Sequence, residues 1–180
     1  AEAIGAIAKS FPIYFVIIAV GVGIGAATNA TIGNLIGGKK INKASMFVAQ
    51  SVIFAVSMSI IVTLFGLNSS NFLLSVMGSD ATSIALTREY LDIIFYGTFI
   101  VMIQISLNGT LNAQGDTTSY RNVLIFSFFL NIFLNPLFIW GYGIIPAFGI
   151  AGLAIATVIA QSIGTLYLIY KVNACKLKKY

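Results

Sequence analysis

Two asparagines four residues apart, Asn131 and Asn135, precede Pro136 inside an apolar run from Val123 to Trp140. An amide offers an oxygen acceptor and two N–H donors, but no proton that titrates near neutral pH. It can ligate a cation, hydrogen-bond a substrate or bond a neighbouring helix. At a spacing of i and i+4 the two side chains share one helix face. At about 1.5 Å per residue the run crosses most of a hydrocarbon layer about 30 Å thick. An amide left unpartnered there costs about 2–7 kcal/mol, so this face must turn toward protein or a cavity. Pro136 lacks a backbone N–H, which predicts a kink or break between Leu134 and Trp140. Asn131 and Asn135 are therefore candidate transport or binding residues. Interhelical hydrogen bonding is the alternative role.

A second polar series is Gln104, Asn108 and Asn112, which recur every four residues and so stripe one helix face. Glu89 and Asp92 are three apart beside Arg88, where acids suit the solvated first turn of a helix. Other chemistries are excluded. The chain has no histidine, hence no histidine metal site and no histidine-based triad. Its single cysteine, Cys175, cannot form an internal disulfide. Asp92 lies near one end of its span and Asp116 in a turn on the opposite side. They cannot pair as an intramembrane aspartyl protease requires, and no enzyme is expected. The string Gly21-Val22-Gly23-Ile24-Gly25 loosely matches a dinucleotide fingerprint, but no strand precedes it and no βαβ unit surrounds it. Asn68-Ser69-Ser70 fits a glycosylation acceptor, which matters only in a eukaryotic secretory setting.

The elements that must position these residues are membrane helices. Hydrophobic residues make up 58% of the chain and charged residues 8%, against about 25% charged in soluble domains. Mean hydropathy is +0.97. Ten-residue alternating strands are missing, which argues against a β-barrel. The expected fold class is an all-α polytopic membrane protein with spans near 11–36, 44–67, 90–111, 123–140 and 150–170. Gly21 and Gly25 form a small-xxx-small pair that lets another helix approach closely. Ala151, Gly152, Ala154, Ala156 and Ala160 do the same for the fifth span. Phe72 to Met77 is too short to span and is expected at the interface. Turns are expected at 37–43 and 113–121.

Net charge is +5. The basic residues sit at the ends of apolar runs, as topology signals do, so nucleic acid is not an expected partner and the lipid bilayer is. With five spans, Lys39, Lys40, Lys43, Arg121, Lys171, Lys176, Lys178 and Lys179 fall on one side, and Lys9 and Arg88 on the other. The positive-inside rule makes the eight-residue side cytoplasmic, with the carboxy-terminal tail inside and Ala1 outside. Residues 1–10 lack the order of a signal peptide. An outside start then implies an earlier span, so the expectation is a segment of a longer polypeptide.

Leu111-Asn-Ala-Gln-Gly-Asp-Thr-Thr118, Asn131-Ile-Phe-Leu-Asn-Pro-Leu-Phe-Ile139, Gly149-Ile-Ala-Gly-Leu-Ala-Ile-Ala-Thr157 and Leu35-Ile-Gly-Gly-Lys39 together resemble the multidrug and toxic compound extrusion (MATE) transporters. The likeness runs from about Phe11 to Tyr170 and is strongest to helices five and six of the amino-terminal lobe. The resemblance implies a twelve-helix, two-lobe antiporter in the plasma membrane. Such a protein exports small amphipathic, often cationic compounds in exchange for Na⁺ or H⁺ and needs no other cofactor. It implies that this chain supplies helices two to six, with the first helix and the second lobe as partners from the same polypeptide. In one branch of the family a cation site uses an acid on helix one, an Asn and an Asp on helix five, and a Thr on helix six. The Asn falls on Asn131, the Thr on Thr157, and the Asp position is Asn135 here. The candidate pathway residues are thus Asn131, Asn135, Thr157, Gln104 and Asn108, with Pro136 as a helix break. A flippase of lipid-linked oligosaccharides, or a membrane module that does not transport, is the alternative.

Overall fold

The computed structural model describes residues 2–76, 81–142 and 146–175. Five helices follow in order: α1 Glu2–Gly37, α2 Ile41–Val76, α3 Ala81–Asn112, α4 Thr118–Trp140 and α5 Ile150–Ala174. Each is long and apolar enough to cross a membrane. Their bounds exceed the apolar cores read from the sequence. Hydropathy marks the part that lies in hydrocarbon, whereas backbone hydrogen bonding carries a helix on into the interface. α2 has 36 residues, a length of about 54 Å, well beyond the hydrocarbon thickness. The piece beginning at Phe72 is therefore no separate interfacial segment. Up to Val76 it is the end of α2, with Ser70 and Leu74 buried; Met77 lies outside the described residues. α1 likewise runs back through Pro12 to Glu2.

The turns are shorter than expected. α1 ends in a tight cap in which Lys40 N–H donates to Leu35 O at 2.8 Å and Gly38 N–H to Asn34 O at 2.9 Å. Lys39 adopts the left-handed conformation (φ 56°) that glycine commonly supplies at such an end. Ile41, Asn42 and Lys43 already belong to α2. At the start of α4, Asp116 Oδ1 accepts from the backbone N–H groups of Thr118 and Ser119, at 3.1 and 3.0 Å. Those amides have no partner within the helix, and the side chain satisfies them.

α3 is the centre of the bundle and the most buried span. It packs on α1, α2 and α5, while α4 packs chiefly on α5. The core round α3 includes Ile17, Ile24, Leu91, Phe95, Met102 and Ala154. Small residues set the close approaches. A Cβ on Gly21 would lie 2.6 Å from Ile105 Cδ1, and one on Gly25 2.7 Å from Ile105 Cγ2. The small-xxx-small pair of α1 therefore seats α3. The five small residues of α5 are all buried as well. Because neighbouring helices alternate in direction, Lys39, Lys40, Lys43, Arg121 and Lys171 gather at one end of the bundle, with Lys9 and Arg88 at the other. Lys176, Lys178 and Lys179 lie outside the described residues.

Candidate functional site

Most hydroxyls in these spans donate to a carbonyl three or four residues back. Thr98 bonds Ile94 O at 3.1 Å, Thr157 bonds Leu153 O at 2.9 Å and Ser162 bonds Val158 O at 2.6 Å. Such bonds use the hydroxyl proton inside its own helix, and only the oxygen lone pairs are left to accept from water or to meet a cation. Besides Asp92 Oδ1, whose carboxylate meets Arg88 through its other oxygen, five uncharged side-chain oxygens in the spans of α3, α4 and α5 are different: buried, with no hydrogen-bond partner. They are Asn108 Oδ1, Ser127 Oγ, Asn131 Oδ1, Asn135 Oδ1 and Gln161 Oε1.

Three of the five form one stripe on α4, because Ser127, Asn131 and Asn135 are spaced by four. Asn131 Nδ2 donates to Ser127 O at 2.9 Å. That bond orients the amide along its own helix and leaves Oδ1 projecting. Among the described residues neither asparagine bonds a neighbouring helix, so the interhelical role is not met within these five helices. α4 is assigned helical through Pro136 as far as Trp140. Pro136 is thus no break, a correction to the sequence expectation. Four further residues keep helical geometry, and the end comes at Gly141, whose N–H donates to Leu137 O at 3.1 Å. The chemical consequence of the proline stands, since the carbonyl of Ile132 loses its donor four residues on.

α5 returns antiparallel to α4. Val123 touches the Gly164 position, and a Cβ on Gly152 would lie 2.5 Å from Phe138 O. These two contacts fix the register, which sets Asn131 level with Thr157 and Ser127 level with Gln161. Thr157 and Gln161 also line a small recess with Tyr14, Gly97, Thr98 and Val101, between α1, α3 and α5. The structure therefore brings Asn131, Thr157 and Gln161 to neighbouring levels, with Asn135 one turn away on the α4 stripe. Gln104 has a different task. It is 1% exposed, and its Nε2 donates to Gln161 O at 3.3 Å, binding α3 to α5. Asn108 lies one turn from Gln104 and keeps an unpartnered oxygen. Ser127 and Gln161 were not singled out from the sequence. The signal was present, since each stands four residues from a candidate, but serine and glutamine are common helix-packing residues. All the donor atoms are neutral oxygens, and groups of acids, histidines or cysteines able to hold a metal are missing among the described residues. Hard monovalent cations, water and hydrogen-bonding organic groups suit such a seam.

A bundle of five membrane-length helices with unpartnered oxygens striped along α4 defines a polytopic helical membrane protein. The family model described as MatE matches residues 1–137, and the chain belongs to that family. The chain is 29% identical over 174 residues to an FAD transporter of Shewanella oneidensis, covering 94% of this chain and 38% of that protein. It is 25% identical over 166 residues to the multidrug export protein MepA of Staphylococcus aureus, covering 92% of this chain and 36% of that protein. A multidrug resistance MATE transporter solved in an inward-facing conformation superposes with a TM-score of 0.90 at 27% identity, over 97% of this chain and 39% of that one. An outward-facing structure of a MATE transporter matches with a TM-score of 0.87 at 28% identity, over 97% and 38% of the two chains. The chain thus spans less than two fifths of the length of these relatives.

Proposed function

We infer that these helices form part of a secondary antiporter that exports small amphipathic compounds across the plasma membrane in exchange for Na⁺ or H⁺. The seam of buried oxygens without partners, formed by Asn131, Asn135, Ser127 and Gln161 beside Thr157, carries this reading. Membership of a family of named exporters supports it. Asn131 and Thr157 act as neutral ligands to the coupling ion or to water, and Asn135 replaces an acid with a neutral amide. Proton coupling, where it occurs, then needs a titratable group outside this seam. The basic residues gathered at one end support an orientation with α1 starting outside and α5 ending in the cytoplasm. The remaining helices of a two-lobe transporter are the expected partners, since sites in such proteins lie between bundles.

The Shewanella relative is named for FAD, which is a second substrate reading. No lysine or arginine lines the seam described here, which favours a neutral or cationic compound over an anionic dinucleotide. The test is uptake into inverted vesicles carrying the protein with its whole natural chain. A cationic dye and FAD are offered in turn, with an imposed Na⁺ or H⁺ gradient. Asn131→Ala at normal expression should cut the gradient-driven flux roughly tenfold, the value of one buried polar contact. Undiminished flux in that variant would reject the seam as the site.

A further inference from the structure

The α4–α5 pair has a second groove, on the other flank of the helix contact from the asparagines, with Val123 at the contact between them. Asn122 and Asn131 are nine residues apart, about two and a half helical turns, so they face opposite ways. The groove encloses about 340 Å³ and is lined by Asn122, Val123, Phe126, Ile163, Gly164 and Tyr167. Its volume is that of a small-ligand pocket. Gly164 leaves bare backbone at its floor, where a Cβ would strike Val123 and lie 2.9 Å from Gln104 Nε2. Its apolar walls, with Phe126 51% and Ile163 42% exposed, open sideways from the bundle.

The mouth carries positive charge. Lys171 Nζ lies 5.6 Å from the centroid of the Tyr167 ring, a cation–π distance that holds the ammonium over the groove. On the facing helix, Arg121 Nη2 donates to Asn122 Oδ1 at 3.3 Å, which draws the guanidinium toward the groove wall. The register fixed by Val123 against Gly164 sets Arg121 level with Tyr167 and Lys171 one turn beyond. Both cations sit where α4 begins and α5 nears its end, at the depth of lipid headgroups. Among the described residues Arg88–Asp92 is the one ion pair, so neither Arg121 nor Lys171 is neutralised by a carboxylate. Asp116, the acid nearest Arg121 in sequence, is occupied by Thr118 and Ser119.

An apolar slot in the side of a helix bundle, with two uncompensated cations at headgroup depth, matches the chemistry of one kind of molecule. We propose that this groove binds an anionic glycerophospholipid, with an acyl chain along Phe126 and Ile163 and its phosphate between Lys171 and Arg121. A free anion would leave the apolar walls unfilled. A zwitterionic headgroup would bring its own cation toward two others. Basic pockets between transmembrane helices commonly hold anionic headgroups. The site does not use the asparagine stripe, so it stands or falls independently of the transport reading.

The test uses the protein with its whole natural chain in lipid nanodiscs. In a background with Trp140 and any other tryptophan of the whole chain changed to Phe, Phe126→Trp places a reporter in the groove wall. Its fluorescence is titrated with phosphatidylglycerol or phosphatidylcholine, each brominated in the acyl chain. Half-quenching should need at least fivefold less brominated phosphatidylglycerol than phosphatidylcholine. Lys171→Gln and Arg121→Gln should each reduce that preference roughly fivefold, the effect of one basic residue at the membrane surface. Lys43→Gln, at the same end but away from the groove, should leave it unchanged. Equal quenching by the two lipids would overturn the proposal. So would an equal loss with Lys43→Gln, which would mean general surface charge. Quenching by neither lipid would mean that another part of the protein covers the groove. Loss of the preference on adding inorganic phosphate at constant ionic strength would mean a free-anion site instead.

Discussion

Gly152 is the tightest test of the α4–α5 register. A methyl group there would lie 2.5 Å from Phe138 O, 2.6 Å from Phe138 C and 3.0 Å from Ile139 N. All three atoms are backbone, so no rotamer change relieves the clash. Restoring an ordinary contact of 3.4 Å moves the first turn of α5 away by about 0.9 Å. The connector is tied to the same atoms, with Phe148 N–H donating to Phe138 O at 2.9 Å and Gly149 N–H to Ile139 O at 3.3 Å. A shift of that size takes the longer bond out of range. Overpacking costs about 1–3 kcal/mol and one lost hydrogen bond about 1 kcal/mol. Better helix propensity returns at most about 1 kcal/mol. Gly152→Ala should therefore destabilise the protein by about 1–3 kcal/mol. At about 2–4 °C per kcal/mol for a chain of this size, Tm in detergent should fall by about 2–12 °C. Trp140, next to the strained connector and the chain's one tryptophan, reports the transition. Gly23→Ala, with nothing within 4 Å, is the control and should melt at or above the parent temperature. Gly152→Ala melting with that control would refute the register, and with it the alignment of Asn131 with Thr157.

Asn135→Leu should lower transport roughly tenfold at normal expression, while Asn135→Asp should add an acidic limb to the pH profile because burial raises a carboxyl pKa; unchanged transport in both would remove Asn135 from the site. The Asp116 carboxyl is held below the usual carboxylate range, first by the Ser119 hydroxyl and then by the backbone N–H of Ser119 and the Thr118 donors. Its cap on α4 is thus fully present above the unfolded value of about pH 4 and is lost as pH falls through the lower folded value. Asp116→Ala should cost about 0.5–2 kcal/mol at pH 7 and flatten the stability profile below pH 4, measured by acid titration of helicity; a variant with an unchanged profile would contradict the cap. Cys175, whose thiol donates to Val172 O at 2.8 Å at the end of α5, should resist an impermeant thiol reagent in intact cells and react after lysis; labelling before lysis would invert the proposed topology.

Composition and apolar run length determined that this chain is a five-span membrane protein, since a backbone in hydrocarbon must satisfy its own hydrogen bonds as helix. The small residues at Gly21, Gly25 and Ala151–Ala160 also announced close packing, because only short side chains let helix backbones approach. The stripe containing Asn131 and Asn135 was legible from its spacing, whereas its partners were not. Periodicity states which residues share a face and says nothing about which helix lies opposite. The continuation of α4 through Pro136, and of α2 to Val76, was decided by helix geometry that hydropathy does not measure. Only tertiary packing set Ser127 level with Gln161, turned Gln104 into an α3–α5 bond and left five uncharged side-chain oxygens without partners. The reason is physical: a side chain's spacing belongs to its own helix, but whether its polar atoms are satisfied depends on the register of the helices around it.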